Sequence, residues 1–303
     1  VAAGIPAAEP CAPRQPGFHA GASLKDLRMI PLLETPRIRA PKLGLGTWRL
    51  SGAEGQASVE SALALGYRHI DTAARYENEA EVGAALAASG VARDDIFLTS
   101  KVWWDSLAPL KLRQSLEASL KRLGTDRLDL FLIHWPAPDM NLAGAVAALE
   151  LAKQEGLIRR WGVSNFPLGL MRQLEEIGAE PAALQVEYHC LLSQQPLLDW
   201  CQPRGIALTA YAPLSRGGLA DQPVLQAIGA KHGASPLQVA LAWLLRQDGV
   251  MAIPKAARKE SQQSNLDALG LIDRLDAEDV AAIDALPKDR RQVNPDFAPD
   301  WNA

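Results

Sequence analysis

An amphipathic stretch, a glycine and a short apolar run recur along this chain. That punctuation limits the possible folds more than any other feature. Gly66, Gly90, Gly124, Gly156, Gly178, Gly205 and Gly249 each close a helix-like segment. Glycine takes a left-handed backbone without a Cβ penalty, so it suits a helix-to-strand turn. The runs that follow predict strands over 68–72, 96–102, 128–134, 158–163, 183–187, 206–211 and 250–253. They are nearly continuous apolar runs, as expected for parallel strands covered on both faces. A first strand over 43–47 makes eight. Eight strands in about 250 residues predict an α/β fold of the (β/α)8, or TIM, barrel type. Gly178 is the weakest member, because Glu180 and Pro181 intervene before its strand. Short extended segments at 30–33 and 37–39 predict an N-terminal β-hairpin capping the barrel bottom. The longest interval, between Gly205 and Gly249, holds a Pro- and Gly-rich loop over 213–218 and more than one helical segment.

Composition matters mainly for what it excludes. The 303 residues are 48% hydrophobic, enough for one large domain. The net charge is −4 and no basic stripe suggests a nucleic-acid partner. No run of about 18 apolar residues suggests a membrane span. Cys11, Cys190 and Cys201 have no metal-ligand spacing, so no metal is expected. Their odd count favours free thiols in a reducing, cytoplasmic setting. Residues 1–28 are rich in Ala, Pro and Gly, lack periodicity and read as a loose extension, with Met29 a plausible natural start. The barrel domain is expected over 29–303.

In a barrel of this kind, groups at the C-terminal strand ends meet at one mouth. Asp71 follows the second strand, Tyr76 lies in the loop after it, Lys101 ends the third strand and His134 the fourth. Together they suit protonation of a carbonyl. A tyrosine is a weak acid near neutrality, and a neighbouring ammonium, here Lys101, is expected to lower its pKa. Asp71 would hold Lys101, and His134 would orient the carbonyl oxygen. Reduction also needs a hydride. Ser164, Asn165 and Gln185 form an amide-recognising trio, and Tyr211 adds an aromatic face suited to a nicotinamide ring. Lys255, Arg258 and Lys259 bring positive charge to the eighth strand end, where barrels often bind phosphate. Each residue alone has a duller reading: Asp71 as a cap, His134 as a packed strand end, Tyr76 and Tyr211 as packing residues, Lys255 as a solvated cation. Their order at successive strand ends favours the joint reading. Gly44-Leu45-Gly46 is no dinucleotide fingerprint, because Arg49 stands at the sixth position and no helix opens there.

The segments GLGTW, GYRHIDTAARYENEAEVG, TSKVW, LDLFLIHWP, GVSNF, LQVEYH, AYAPL and IPK run from Leu43 to Lys255. Jointly they are similar to the aldo-keto reductases. The ending DRRQVNPDFAPDW resembles the bacterial 2,5-diketo-D-gluconate reductase B subgroup. The resemblance implies a catalytic tetrad of Asp71, Tyr76, Lys101 and His134, with Tyr76 as general acid. It implies nicotinamide contacts from Ser164, Asn165, Gln185 and Tyr211, and further cofactor contacts from Leu214, Ser215, Lys255, Arg258 and Asn265. Trp48, Trp103 and Trp135 would line the substrate side, whereas Trp104 and Trp161 are read as packing. The implied activity is NADPH-dependent reduction of small carbonyls such as methylglyoxal or 2,5-diketo-D-gluconate, by a monomer. The chain departs from many NADPH-dependent members after Lys255. Ala256 replaces a serine, Ser261 replaces an arginine that binds the 2′-phosphate, and Ser264 replaces an acid. NADH is therefore an alternative cofactor. The loop over 136–142 is short and little chain follows Pro287, so large lids are not expected and the mouth should be open. The rival readings are a non-catalytic nucleotide-binding or redox-sensing barrel and, more weakly, an isomerase or aldolase on the same fold, which fold alone does not separate.

Overall fold

A computed structural model describes residue 1 and residues 30–302. The expectations for residues 1–28, Cys11 and Met29 included, concern positions outside the described stretch 30–302. Strands β1 (Leu32–Glu34) and β2 (Arg39–Pro41) pair antiparallel, Leu33 opposite Ala40. This is the expected hairpin. Leu33, Ile38 and Ala40 are buried against Leu130, Leu132 and Met251, closing one end of the barrel.

The barrel strands are β3 (Leu45–Gly46), β4 (His69–Asp71), β5 (Phe97–Val102), β6 (Leu128–Ile133), β7 (Ile158–Ser164), β8 (Ala183–Glu187), β9 (Ala207–Tyr211) and β10 (Val250–Ala252). Each lies parallel to its neighbours in chain order. The ring closes where Leu43 bridges Ala252 in parallel and the Gly44 N–H donates to the Ala252 carbonyl at 2.9 Å. The (β/α)8 expectation holds, with most strand bounds within a residue or two of the predicted ones.

Helices α1 (Gly52–Ala64), α2 (Glu79–Ala88), α3 (Pro109–Leu123), α4 (Leu142–Gln154), α5 (Leu168–Glu176) and α6 (Gln195–Cys201) alternate with the strands. The long interval before β10 holds α7 (Pro223–His232) and α8 (Pro236–Leu245), as expected, and α9 (Lys259–Asp267) and α10 (Ala277–Asp284) follow. All seven punctuating glycines have positive φ. Gly124 shows why. At φ 62° it turns the chain out of α3 while the Thr125 N–H donates back to the Leu120 carbonyl at 3.2 Å, satisfying an orphan carbonyl.

Gly83 serves a different purpose. It lies where α2 crosses the end of α3, and an added Cβ would stand 2.6 Å from the Leu123 carbonyl oxygen and 2.8 Å from that of Arg122. Backbone cannot yield as a side chain can. Gly83→Ala is expected to lower stability by about 1–3 kcal/mol despite the better helix propensity of alanine. Urea denaturation checks this, and an unchanged midpoint would show that the helices can part without cost.

Candidate active site

The strand ends place the four predicted catalytic side chains together. Asp71 ends β4 and Lys101 lies in β5, both essentially inaccessible to water. The Lys101 ammonium donates to Asp71 Oδ1 at 2.5 Å, to the Thr72 carbonyl at 2.8 Å and to the Tyr76 hydroxyl at 3.4 Å. An ammonium has three N–H bonds, and each has a partner here. Tyr76 closes a short 3₁₀ turn, Ala74–Tyr76, which ends on Glu77 in the left-handed conformation. The Tyr76 and His134 rings meet edge to face at 5.5 Å between centroids, and Trp103 meets His134 at 5.1 Å.

Burial and charge set the protonation states. Burial would lower the Lys101 pKa, but Asp71 and Tyr76 outweigh it, so the group is raised and stays charged. At Tyr76 the expected downward pull of Lys101 is present, but it is not the largest effect. Burial pushes the phenol up, and Lys101 only partly offsets that, so the net direction is upward. Tyr76 thus holds its proton firmly before any carbonyl arrives. Burial, reinforced by Lys101, holds His134 well below its usual range. The ring is therefore neutral. Its Nδ1 is buried without a partner. A bare lone pair costs less there than a bare N–H, which puts the proton on Nε2 and makes that atom the donor.

This has a consequence for stability. Between the lowered folded pKa and the unfolded value near 6.5, the unfolded chain binds more protons at this site. Stability from this site is complete above about pH 6.5 and declines as the pH falls through that window. Nitrogen-15 NMR of the His134 imidazole at about pH 6 should show the neutral Nε2–H tautomer. An imidazolium signal would contradict the assignment.

These groups open onto a cavity of about 1260 Å³. That exceeds the roughly 300–1,000 Å³ of sites for a single drug-sized ligand. Asp71, Tyr76, His134, Asn165, Gln185 and Tyr211 are among the lining residues. Trp48, Trp103, Trp135 and Phe297 line it too, as do Leu214, Lys255, Ser261, Ser264 and Asn265. Lys101, Ser164 and Ser215 are buried just behind the surface, and Arg258 is exposed at the start of α9, outside the lining.

The amide group is wired differently from the expectation. Gln185 Nε2 donates to Asp71 Oδ2 at 2.8 Å, so this side chain also holds the aspartate. Asn165 donates to the His134 carbonyl at 2.9 Å and to Ser164 Oγ at 3.1 Å, while the Tyr211 hydroxyl donates to Asn165 Oδ1 at 2.8 Å. Asn165 sits at φ 63°, a left-handed position that asparagine tolerates better than most residues. Ala212, Ser215 and Arg216 are also left-handed, at φ 46°, 48° and 54°. Ala212 and Arg216 also line the cavity, so this strained loop lies beside it.

The C-terminal stretch adds to the cavity wall, which the little chain after Pro287 does not suggest. After α10 the chain runs back over the barrel, and Gln292, Val293, Asn294, Pro295 and Phe297 line the cavity. Phe297 packs 5.6 Å from Trp103, 5.8 Å from Trp104 and 5.5 Å from Trp135. Sequence reading missed Phe297 because the ending has no helical or strand period. The only signal was the resemblance of that ending to a known subgroup. Trp161 is fully buried as expected, its Nε1 donating to Glu150 at 2.6 Å. Trp104 packs on Phe297. Trp48 is 38% exposed, with the guanidinium of Arg49 4.3 Å from its ring centroid.

The residues present fit a nicotinamide dinucleotide. Gln185 Oε1 has no hydrogen-bond partner among the described residues, and Lys255 has no ion-pair partner there. The N-terminus of α9 brings Ser261 to the cavity wall, where backbone N–H groups and the helix dipole suit phosphate. No group of three or more His, Cys, Asp or Glu side chains able to hold a metal occurs among the described residues. No helix there is long and apolar enough to cross a membrane.

Comparison with known proteins agrees with this geometry. The model of the aldo/keto reductase family matches residues 42–288. The chain is 43% identical over 267 residues to methylglyoxal reductase DkgB of Escherichia coli O157:H7, covering 86% of this chain and 99% of that protein. It is 42% identical over 262 residues to glyoxal reductase of Bacillus subtilis (strain 168), covering 86% and 94%. A crystal structure of a protein provisionally assigned as a 2,5-diketo-D-gluconic acid reductase B superposes with a TM-score of 0.87 at 38% identity, covering 91% of this chain and 98% of that one. The aldo-keto reductase AKR2E5, solved with NADPH, gives 0.82 at 32% identity, covering 88% and 91%. The chain belongs to the aldo/keto reductase family and is an NAD(P)H-dependent oxidoreductase that reduces carbonyl groups.

Proposed function

We propose that the enzyme reduces small aldehydes and ketones, methylglyoxal and 2,5-diketo-D-gluconate among them, with NADPH as hydride source and Tyr76 as general acid. One observation carries this reading. The Lys101 ammonium stands between Asp71 and Tyr76, at 2.5 and 3.4 Å, and the tyrosine faces a cavity beside a neutral histidine. A nicotinamide supplies a hydride to the carbonyl carbon. The chain's own residues handle the oxygen. His134 Nε2–H orients it, and Tyr76 transfers a proton as negative charge develops there. The resulting phenolate is stabilised by Lys101, which Asp71 and Gln185 hold in place. Burial, which raises the Tyr76 pKa in the free enzyme, also strengthens every such interaction once the site is closed to water. Asn165, fixed by Tyr211 and Ser164, keeps the His134 backbone in position. The reductase names of the relatives support small dicarbonyls as substrates.

For the cofactor, Lys255, Arg258 and Lys259 have no ion-pair partner among the described residues and can meet a 2′-phosphate. Ala256 and Ser261 offer no charge. One charge-assisted contact is worth about 1.5–3 kcal/mol, or roughly 10- to 150-fold. Steady-state reduction of methylglyoxal with NADPH and NADH in parallel tests the assignment. The expected result is an NADPH preference in kcat/KM that Lys255→Ala reduces by about tenfold or more, through KM for NADPH. Equal rates with both cofactors would remove the 2′-phosphate role of Lys255. Failure to reduce any carbonyl would remove the whole reading.

A further inference from the structure

We propose that Glu187, a buried carboxylate unused in the reduction chemistry, is the positioning residue that builds the substrate wall and confers selectivity for aromatic carbonyls, a proposal that rests on the reductase reading of the cavity. Glu187 ends β8 opposite Tyr211 and is wholly buried, but it is not part of the cavity lining. Its two oxygens accept from two consecutive backbone amides of the C-terminal chain. Gln292 N–H donates to Oε1 and Val293 N–H to Oε2, each at 2.8 Å. His189 orients the carboxylate. The Leu191 N–H donates to its Nδ1 at 3.2 Å, so Nε2 carries the proton and donates to Oε1 at 3.1 Å. Gln194 Nε2 donates to the Glu187 carbonyl at 2.7 Å, so the backbone behind the carboxylate is held as well.

The position of this clamp gives it leverage. Upstream, the Arg290 N–H donates to the Leu191 carbonyl at 2.8 Å. At Gln292 the side chain also donates to the Ser215 carbonyl at 3.2 Å, tying the tail to the strained loop. Beyond Val293 the hydrogen bonds are internal to the tail: Ala298 N–H to Pro295, Trp301 Nε1 to Asn294 and Asn302 N–H to Asp300. Among the described residues, Glu187 and Ser215 are thus the last polar tethers to the barrel before Phe297. Phe297 then depends for its place on that clamp and on apolar contacts, its own with Trp103, Trp104 and Trp135 and that of Trp301 with Trp135. An aryl carbonyl reaching from Tyr76 along Trp103 would meet Phe297, and edge-to-face contacts would hold its ring. Methylglyoxal is too small to use them.

Kinetics with benzaldehyde and methylglyoxal on wild type, Glu187→Gln, Phe297→Ala and the double variant test this, with hydrogen exchange over 288–302. Glutamine leaves an NH2 facing one of the two amides. The expected result is a rise of about tenfold in KM for benzaldehyde in each single variant, and no further rise in the double. In Glu187→Gln, kcat for methylglyoxal should stay within about twofold of wild type, and amide protection should fall over 288–302 but not in the barrel. Equal losses on both substrates, or multiplying losses in the double variant, would place Glu187 in the catalytic centre or in general stability and overturn the proposal. Unchanged benzaldehyde kinetics and protection would do the same. If Glu187→Gln does not fold, Glu187→Asp keeps the charge beside His189 but is too short for both amides, and the same outcomes apply. If wild type reduces no carbonyl, the selectivity claim falls with the reductase reading, while exchange alone still decides whether Glu187 holds the tail.

Discussion

Replacing Tyr76 with phenylalanine is expected to lower kcat for methylglyoxal by about 10²- to 10⁴-fold, the usual worth of a positioned proton donor. NADPH affinity should change by less than about twofold, because the hydroxyl is turned to Lys101 at 3.4 Å and the ring keeps its edge-to-face contact with His134. The burial that raises the phenol pKa gives the loss its size. With the hydroxyl gone, the proton must come from a less well-placed donor such as water. Rapid-mix kinetics with cofactor in excess would separate chemistry from cofactor release. A variant that reduces methylglyoxal near the wild-type rate would show that the proton comes from elsewhere, and His134 Nε2 would become the candidate.

The second large effect concerns stability as well as activity. Lys101→Met removes the ammonium from a pair whose side chains are 0% and 1% exposed. Asp71 would then be buried with only the Gln185 amide to satisfy it, and the Thr72 carbonyl would lose its donor. Breaking a buried pair by removing one partner costs about 3–5 kcal/mol, because the remaining charge is uncompensated. Adding Asp71→Asn should recover a large part of that loss, since the double variant buries no lone charge. Urea midpoints of the two single variants and the double measure this directly. The pH sign is also determined. Lys101 is raised above its unfolded value near 10.5, so its contribution is complete below that value and is lost only as the pH rises through the folded pKa. Lys101 therefore adds no pH dependence near neutrality. A single variant as stable as wild type would mean that the two groups are not both charged in the folded protein.

Much of this architecture is legible along the chain. The seven glycines report local backbone needs, and local needs are written locally. Each takes the positive φ that a helix-to-strand turn requires. The strand ends follow from the apolar runs, and barrel geometry then brings Asp71, Tyr76, Lys101 and His134 to one mouth. The hairpin at β1 and β2 was likewise expected, though one or two residues early. The tail was not. Gln292 and Val293 meet a carboxylate 105 and 106 positions earlier, through backbone N–H groups that every residue but proline possesses. No side-chain pattern announces such contacts, so the roles of Phe297 and Glu187 are not legible in the sequence. By residue type Asn165, an amide, suits a cofactor contact. Its left-handed backbone and its bond to the His134 carbonyl give it a structural task too, and neither is visible in residue type.

The barrel, its closing hairpin and the groups at the strand ends are written in the sequence, because periodicity and turn chemistry act over a few residues. Which of those groups touch, which face the cavity and which way their protons lean depend on how the chain packs in space. Lys101 pairs with Asp71 across 30 positions, and Gln185 reaches Asp71 across 114. Burial raises Tyr76 against the pull of its ammonium neighbour and keeps His134 neutral. Desolvation and Coulomb energy depend on distance in space and on the depth of the surrounding protein, and neither quantity exists until the chain has closed on itself.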